Sequence, residues 1–148
     1  MDAVILDSKP LDITLLNTFE SEYHLKLPGG YRNFLIKYNG GYPEKNIFTI
    51  IINGKKNDGM IHRFLGITHS ELDGMYHYIN IYKNRIPKDL FPIAYDPAGN
   101  LIVIGIFGRR FGKIYFWDHE DEREEPSYRN VHFISNDFSV FINSLRKL

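Results

Sequence analysis

The chain has 148 residues, of which 43% are hydrophobic, and its 18 basic and 18 acidic residues give a formal net charge of zero. This size and apolar content fit one folded domain and exclude a disordered chain. The charge balance argues against a general nucleic-acid binder, which needs an excess of basic residues to neutralise phosphate. No apolar run reaches the roughly 20 residues of a membrane span, and the absence of cysteine excludes disulfides and thiol chemistry.

These properties predict a soluble, cytoplasmic protein with one domain over residues 1–148 and a core over about 12–148. The first residues lack the basic start of a secretory signal. The first predicted element is a helix that Asp12 or Thr14 caps. Its apolar residues recur at helical spacing: Leu15, Leu16, Phe19 and Tyr23.

The second predicted helix has signals at both ends, in residues 27–41, which read LPGGYRNFLIKYNGG. Pro28 suits a first turn because its φ is already near the helical value and it has no N–H to lose. An apolar face follows at helical spacing: Tyr31, Phe34, Leu35 and Tyr38. Asn39, Gly40 and Gly41 tolerate positive φ and therefore end the helix.

The next segment mixes strand and turn patterns. Residues 47–52 are continuous and β-branched, which predicts a buried strand. Residues 53–59 contain two turn signals and read as a polar loop, and residues 60–67 form a further predicted strand. Ser70 and Asp73 resemble a capping box at the start of a third helix. That helix includes Leu72, Met75, Tyr76 and Ile79.

Three strands should follow in quick succession, over about 91–95, 101–107 and 113–117. Their short connections favour antiparallel neighbours, because a parallel crossover needs a dozen or more residues. A further strand over 131–134 precedes a terminal helix that Asn136 caps. The pattern predicts an α+β fold, with a central, mainly antiparallel sheet of about five to six strands and N-terminal, middle and C-terminal helices packed against it.

Three segments resemble, in order, the signatures of the SUKH superfamily. They are LPGGYRNFLIKYNGG at 27–41, LFPIAYDPAGNL at 90–101 and GKIYFWDHE at 112–120. That superfamily includes fungal regulators of cell-wall assembly and many bacterial immunity proteins that neutralise toxins. The resemblance spans nearly the whole chain, and it implies a domain that binds proteins and catalyses no reaction.

Motifs for chemistry give little support for an enzyme. Residues 108–114 resemble a phosphate loop, but the glycines are one residue too close and Ile114 replaces the Ser or Thr that would hold magnesium. His62, His69 and His77 have no recognised metal-ligand spacing. No serine lies in a nucleophile-elbow pattern. We therefore expect a protein that is not an enzyme and has no cofactor and no metal site.

An acidic loop at residues 118–125 is the main indication of function. Its acidic residues are Asp118, Glu120, Asp121, Glu122, Glu124 and Glu125. One interpretation is a solvated loop that only keeps the protein soluble. The other is a site for the basic surface of a partner protein. Trp117 either packs at the end of its strand or serves, beside this loop, as an apolar anchor for the partner. The resemblance favours the second, because it implies toxins that act on phosphate-bearing substrates and so present basic surfaces.

Tyrosines provide a secondary candidate surface. Tyr76, His77, Tyr78 and Tyr82 crowd more than one face of the third helix, so some are exposed unless the helix is buried all round. Exposed tyrosines are common anchors at protein interfaces. Tyr78 and Tyr82 are the secondary candidates for partner contact.

The sequence thus predicts a non-catalytic immunity protein whose partner is a cognate toxin, and a toxin that acts on nucleic acid is one candidate. The partner is a protein, and neither a nucleic acid nor a membrane. A regulatory scaffold related to the fungal regulators of cell-wall and glucan synthesis is the alternative, and an enzyme of unknown type ranks last. The oligomeric state is left open.

Overall fold

The computed structural model describes residues 3–148. The helices are α1 (Ile13–Glu22), α2 (Gly29–Tyr38), α3 (Met75–Tyr82) and α4 (Phe138–Ser144). The strands are β1 (Ile5–Leu6), β2 (Tyr42–Pro43), β3 (Ile47–Ile52), β4 (Lys55–Met60), β5 (Arg63–Phe64), β6 (Leu90–Tyr95), β7 (Leu101–Gly105), β8 (Ile114–Trp117) and β9 (Val131–Ser135). Over this range, none of the helices combines the length and apolar character that crossing a membrane requires.

The predicted α+β fold with a central antiparallel sheet is confirmed. Five strands form this sheet in the order β5-β6-β7-β8-β9, and every neighbouring pair is antiparallel. The pairs β1–β2 and β3–β4 form two separate ribbons. Short turns between β6, β7 and β8 produce this arrangement, as predicted, because they leave no length for a crossover.

Both faces of the central sheet are covered. Successive strand residues point to opposite faces, so Ile102 and Ile104 of β7 join the larger core cluster with side chains of α1, α2 and α4. Leu101 and Val103 join a smaller cluster on the other face. The smaller cluster is Ile86, Leu90, Leu101, Val103, Tyr115 and Trp117. The connection from α3 to β6 therefore packs on the face opposite the main core.

The second helix forms as predicted. Pro28 is its N-cap residue, with ψ at 142°, and Asn39 ends it in the left-handed region with φ at 48°. The Oδ1 atom of Asn39 also accepts a hydrogen bond from the backbone N–H of Ile67 at 2.7 Å. The end of α2 is thereby attached to the segment that leads to α3.

A buried carboxylate joins α1 to the start of α2. Glu20 is 4% exposed and accepts hydrogen bonds from the Arg32 guanidinium at 3.0 and 3.1 Å and from the Leu27 backbone N–H at 2.8 Å. Burial by itself raises the pKa of Glu20, but these bonds and the charges of Arg32 and Lys26 outweigh it and hold the pKa below its usual value. Arg32 thus connects the two helices through the ionised form of Glu20.

The polar segment after β3 is a strand, which corrects the predicted loop. Asn53 and Gly54 have φ values of 53° and 78°, which is the geometry of a two-residue type I′ hairpin turn. Residues Lys55–Met60 then pair with Ile47–Ile52 along their full length. β3 is also only half-buried, because Thr49 and Ile51 face solvent. An edge strand with no buried face carries no apolar alternation, so its composition resembles that of a loop.

Three further boundaries differ from the prediction. α3 begins at Met75 and has Gly74 as its N-cap. Ser70, the predicted cap, instead accepts a hydrogen bond from the Leu72 backbone N–H in the turn before the helix. Leu72 therefore lies outside the helix and is 75% exposed. The predicted strand over 60–67 shortens to the two residues of β5, and β1 and β2 have no counterpart in the prediction. Asp137, one residue after the predicted cap, accepts from Val140 N at 2.8 Å and caps α4.

Candidate protein-binding site

The acidic loop leaves the end of β8 in a fixed geometry. Asp118 caps a short 3-10 helix (His119–Asp121) by accepting from the Glu120 backbone N–H at 3.0 Å. The side chain of Asn130 donates to the Asp118 carbonyl at 2.8 Å. His119 contacts the turn between β6 and β7, with 2.6 Å between its Nε2 and the carbonyl oxygen of Ala98. The base of the loop is therefore attached to the neighbouring hairpin.

One ion pair attaches the middle of the acidic loop to the end of α3. The Nε and Nη2 atoms of Arg85 donate to the two carboxylate oxygens of Glu122 at 2.8 and 2.9 Å. The same guanidinium lies over the Tyr82 ring, 4.4 Å from its centroid. The hydrogen bond from Arg85 lowers the pKa of Glu122, so this carboxylate is ionised and engaged.

The six predicted carboxylates divide into two groups. Asp118, Asp121 and Glu122 have partners within the protein: Asp118 serves as a cap, and Asp121 pairs with Arg123 at 3.6 Å and Arg129 at 3.5 Å. The other three are exposed, and within residues 3–148 the structure shows no ion pair or hydrogen bond to their side chains. They are Glu120, Glu124 and Glu125. These three remain available to a partner.

Trp117 does not lie at the surface. Its side chain is 0% exposed and packs in the smaller core cluster, edge-on to Tyr82 with 5.6 Å between ring centroids. Its Nε1–H has no hydrogen-bond partner among the described residues. This burial corrects the prediction of an apolar anchor: Trp117 supports Tyr82 and Arg85 from beneath and offers no area to a partner.

Tyr78 and Tyr82 are half-buried and lie in a row of aromatic rings that we call the aromatic stripe. The stripe contains Tyr42, His62, Tyr95, Tyr78 and Tyr82, with 5.5 to 6.0 Å between successive centroids. Tyr78 stacks on Tyr95 at an interplanar angle of 9°. Burial, together with the neighbouring Tyr95, raises the pKa of Tyr78 to about 12, so the Tyr78 hydroxyl is neutral at pH 7.

An arginine lies against each end of the aromatic stripe. Arg63 lies 4.6 Å from the Tyr42 centroid and pairs with Asp73 at 2.6 Å, while Arg85 lies over Tyr82 at the other end. Arg85 therefore joins the stripe to the acidic loop. The two surfaces that the sequence indicated separately are adjacent in the structure.

Sequence reasoning missed Tyr42, His62, Arg63 and Tyr95 as members of this surface. They belong to or flank β2, β5 and β6, and no local spacing relates them to α3. Composition offered one indication, a content of 10 tyrosines, which is typical of surfaces that bind proteins but does not locate them.

Comparisons with known proteins identify the family of this chain. A sequence model of the SMI1 / KNR4 family (SUKH-1) matches residues 10–144. The chain is also 30% identical over 145 residues to the SPbeta prophage-derived uncharacterized protein YokK of Bacillus subtilis (strain 168). That similarity covers 88% of this chain and 72% of the relative. The chain belongs to the SMI1 / KNR4 family (SUKH-1), and the predicted resemblance to the SUKH superfamily is confirmed.

Proposed function

We propose that this chain is an immunity protein that acts in the cytoplasm, where it binds a cognate toxin and blocks its active site without chemistry of its own. The observation that carries the proposal is the adjacency of the aromatic stripe and the acidic loop, which Arg85 joins and which carries the three unpaired carboxylates. Tyrosine rings supply contact area at low entropic cost, and the carboxylates supply charge at the rim.

The free carboxylates indicate the chemistry of the partner. Glu120, Glu124 and Glu125 lie on a loop that is bonded to neighbouring elements at His119 and Glu122, which lowers the entropic cost of ordering it on binding. A basic protein surface complements them, and enzymes that act on nucleic acids have such surfaces. Electrostatic attraction of this kind raises the association rate and depends on salt, with a screening length of about 8 Å at physiological ionic strength.

The carboxylate beside the cavity at β1, β2 and α4 offers little for catalysis. A cavity of about 410 Å³ lies between β1, β2 and α4, and its carboxylate, Glu44, is exposed. A hydrogen bond and ion pair with Lys147 lower the pKa of Glu44, so the carboxylate remains ionised. A general acid needs the opposite environment, in which burial holds the proton at neutral pH. This contrast supports binding over catalysis.

The test combines capture with protection. Tagged wild-type protein is used to capture partners from a lysate of the native organism, and each captured protein is then expressed alone and together with the chain. We expect one basic partner that arrests growth alone and is harmless with wild type. The variant Glu124→Lys should weaken binding, whereas the control Glu71→Lys, an equal charge change at another exposed position, should not. A captured partner that is harmless when expressed alone would refute the immunity function.

A further inference from the structure

The β3–β4 hairpin presents a free strand edge. Among the described residues β4 pairs only with β3, and its side chains are exposed along nearly its whole length. Ile52 and Lys55 flank the type I′ turn and form a hydrogen-bonded pair, since a two-residue hairpin imposes that geometry. Backbone bonds alternate along an antiparallel strand. The backbone N–H and C=O groups of Lys56, Asp58 and Met60 therefore point away from β3.

Charge restricts what can pair with this edge. Lys56 and Asp58 lie two residues apart, so their side chains project from the same face of the hairpin. Like charges directly opposite each other oppose pairing, and opposite charges favour it. A lysine on an edge strand also discourages pairing with an arbitrary strand. The edge therefore selects a strand that places an acid opposite Lys56 and a base opposite Asp58.

A second copy of β4 in antiparallel orientation meets both requirements. It places Lys56 opposite Asp58 of the second copy, Asp58 opposite Lys56, and Asn57 opposite its own equivalent. Two neighbouring registers also align the backbone hydrogen-bonding groups, but each of them opposes like charges. One places Lys56 opposite Lys56 of the second copy, and the other places Asp58 opposite Asp58. We propose that this chain forms a two-fold symmetric dimer through β4, in which two hairpins make one four-stranded sheet.

Two local features favour this pairing. The Arg146 guanidinium donates to the Oδ1 atom of Asp58, which leaves Oδ2 for Lys56 of the second copy. On the other face, Lys55 of the second copy lies opposite Gly59, which has no side chain to obstruct it. The Phe48 ring of β3 packs against this glycine, 2.2 Å from where a Cβ would stand, which is why position 59 carries no side chain.

Charge-reversal variants test the register. Sedimentation across a concentration series should show a dimer for wild type. Lys56→Asp alone and Asp58→Lys alone should each dimerise about tenfold more weakly or worse, since each places like charges in opposition. An equimolar mixture of the two should pair again. The control Lys45→Asp makes the same charge change away from β4 and should behave as wild type.

A monomeric wild type, a mixture no stronger than its components, or equal weakening by Lys45→Asp would each refute the dimer. Circular dichroism of every variant confirms that it is folded. These results do not depend on whether the chain protects against a toxin, because the dimer does not rest on the proposed function.

Cross-linking measures the same register independently. The chain has no cysteine, so Asn57→Cys introduces a single thiol at the two-fold axis. Residues in such a non-hydrogen-bonded pair have Cα atoms about 4.5 Å apart, within the range of about 4.4–6.8 Å that a disulfide needs. We expect rapid formation of a disulfide dimer in air. The control Thr49→Cys lies exposed on β3, and cross-linking at an equal rate there would refute the proposed register.

Discussion

Arg85 and Glu122 form a two-point ion pair, with donor–acceptor distances of 2.8 and 2.9 Å, between the segment after α3 and the acidic loop. The two side chains are 44% and 21% exposed, respectively. Because solvent screens such a pair, it contributes little to global stability. Its effect is local, since it holds the loop against the aromatic stripe.

Replacing Arg85 by Lys should loosen the acidic loop while the fold remains stable. Lysine keeps the charge but cannot donate two parallel hydrogen bonds to one carboxylate. We expect a loss of no more than about 1 kcal/mol in the free energy of unfolding and faster hydrogen exchange in residues 119–129. Arg123→Lys, at an exposed pair with 3.6 Å separation, is the control. Unchanged exchange in Arg85→Lys would show that the pair does not order the loop.

Glu20→Gln should destabilise the protein in a pH-dependent way. The Glu20 pKa is lowered in the folded state, so its contribution is present above its unfolded value of 4.5 and is lost as the pH falls through the folded value. At pH 7 we expect a cost of about 2–3 kcal/mol, since Arg32 loses its charged partner. Urea unfolding should show that the free energies of unfolding of the variant and the wild type approach each other as the pH falls below 4.5. A cost independent of pH would contradict this assignment.

Trp117→Phe should leave partner binding intact. Trp117 is the only tryptophan and is fully buried. The smaller phenylalanine ring makes fewer packing contacts, which destabilises the core, but the change also removes a buried N–H that has no partner among the described residues. The two effects oppose each other, and we expect a net cost of about 1 kcal/mol or less. Tyr82→Ala, in the aromatic stripe, should instead weaken binding about tenfold or more. A large loss of affinity in Trp117→Phe would show that the tryptophan reaches the partner.

Gly105→Ala should be among the more damaging small substitutions. A Cβ at Gly105 would stand 1.8 Å from the carbonyl oxygen of Arg110, a backbone atom that cannot rotate away. We expect a cost of about 3 kcal/mol in chemical denaturation. At Gly29, in the first turn of α2, a Cβ meets nothing within 4 Å, so Gly29→Ala should be neutral or stabilising by up to about 1 kcal/mol. Similar costs at the two positions would contradict the packing seen around Gly105.

Elements whose signals are local could be predicted from the sequence, and elements that depend on distant partners could not. α2 forms where Pro28 and Asn39 predict it, because a helix end depends on its own few residues. β4 was missed because the stability of this polar strand comes from pairing with β3 and not from its own composition. The Asn53–Gly54 turn was recognised, but a turn signal does not show whether the chain continues as a strand.

The candidate site shows the same division. Composition located the acidic loop, but only the fold reveals that Glu122 pairs with Arg85, which lies 37 positions away in the chain. For Trp117 the sequence left two positions open, packed at the end of its strand or exposed as an anchor. Alternation along β8 could not decide between them, because both faces of the central sheet are covered.

The loops at the two ends of β8 carry opposite charge. Arg109, Arg110 and Lys113 precede the strand, and the acidic loop follows it. Since the net charge of the chain is zero, this separation gives the molecule a dipole along the strand. The field of a dipole weakens more steeply with distance than the field of a net charge. The protein therefore exerts only a weak electrostatic force on remote charged molecules. Only at close approach does the field of a basic surface exert a torque on this protein, and that torque turns the acidic end toward the surface.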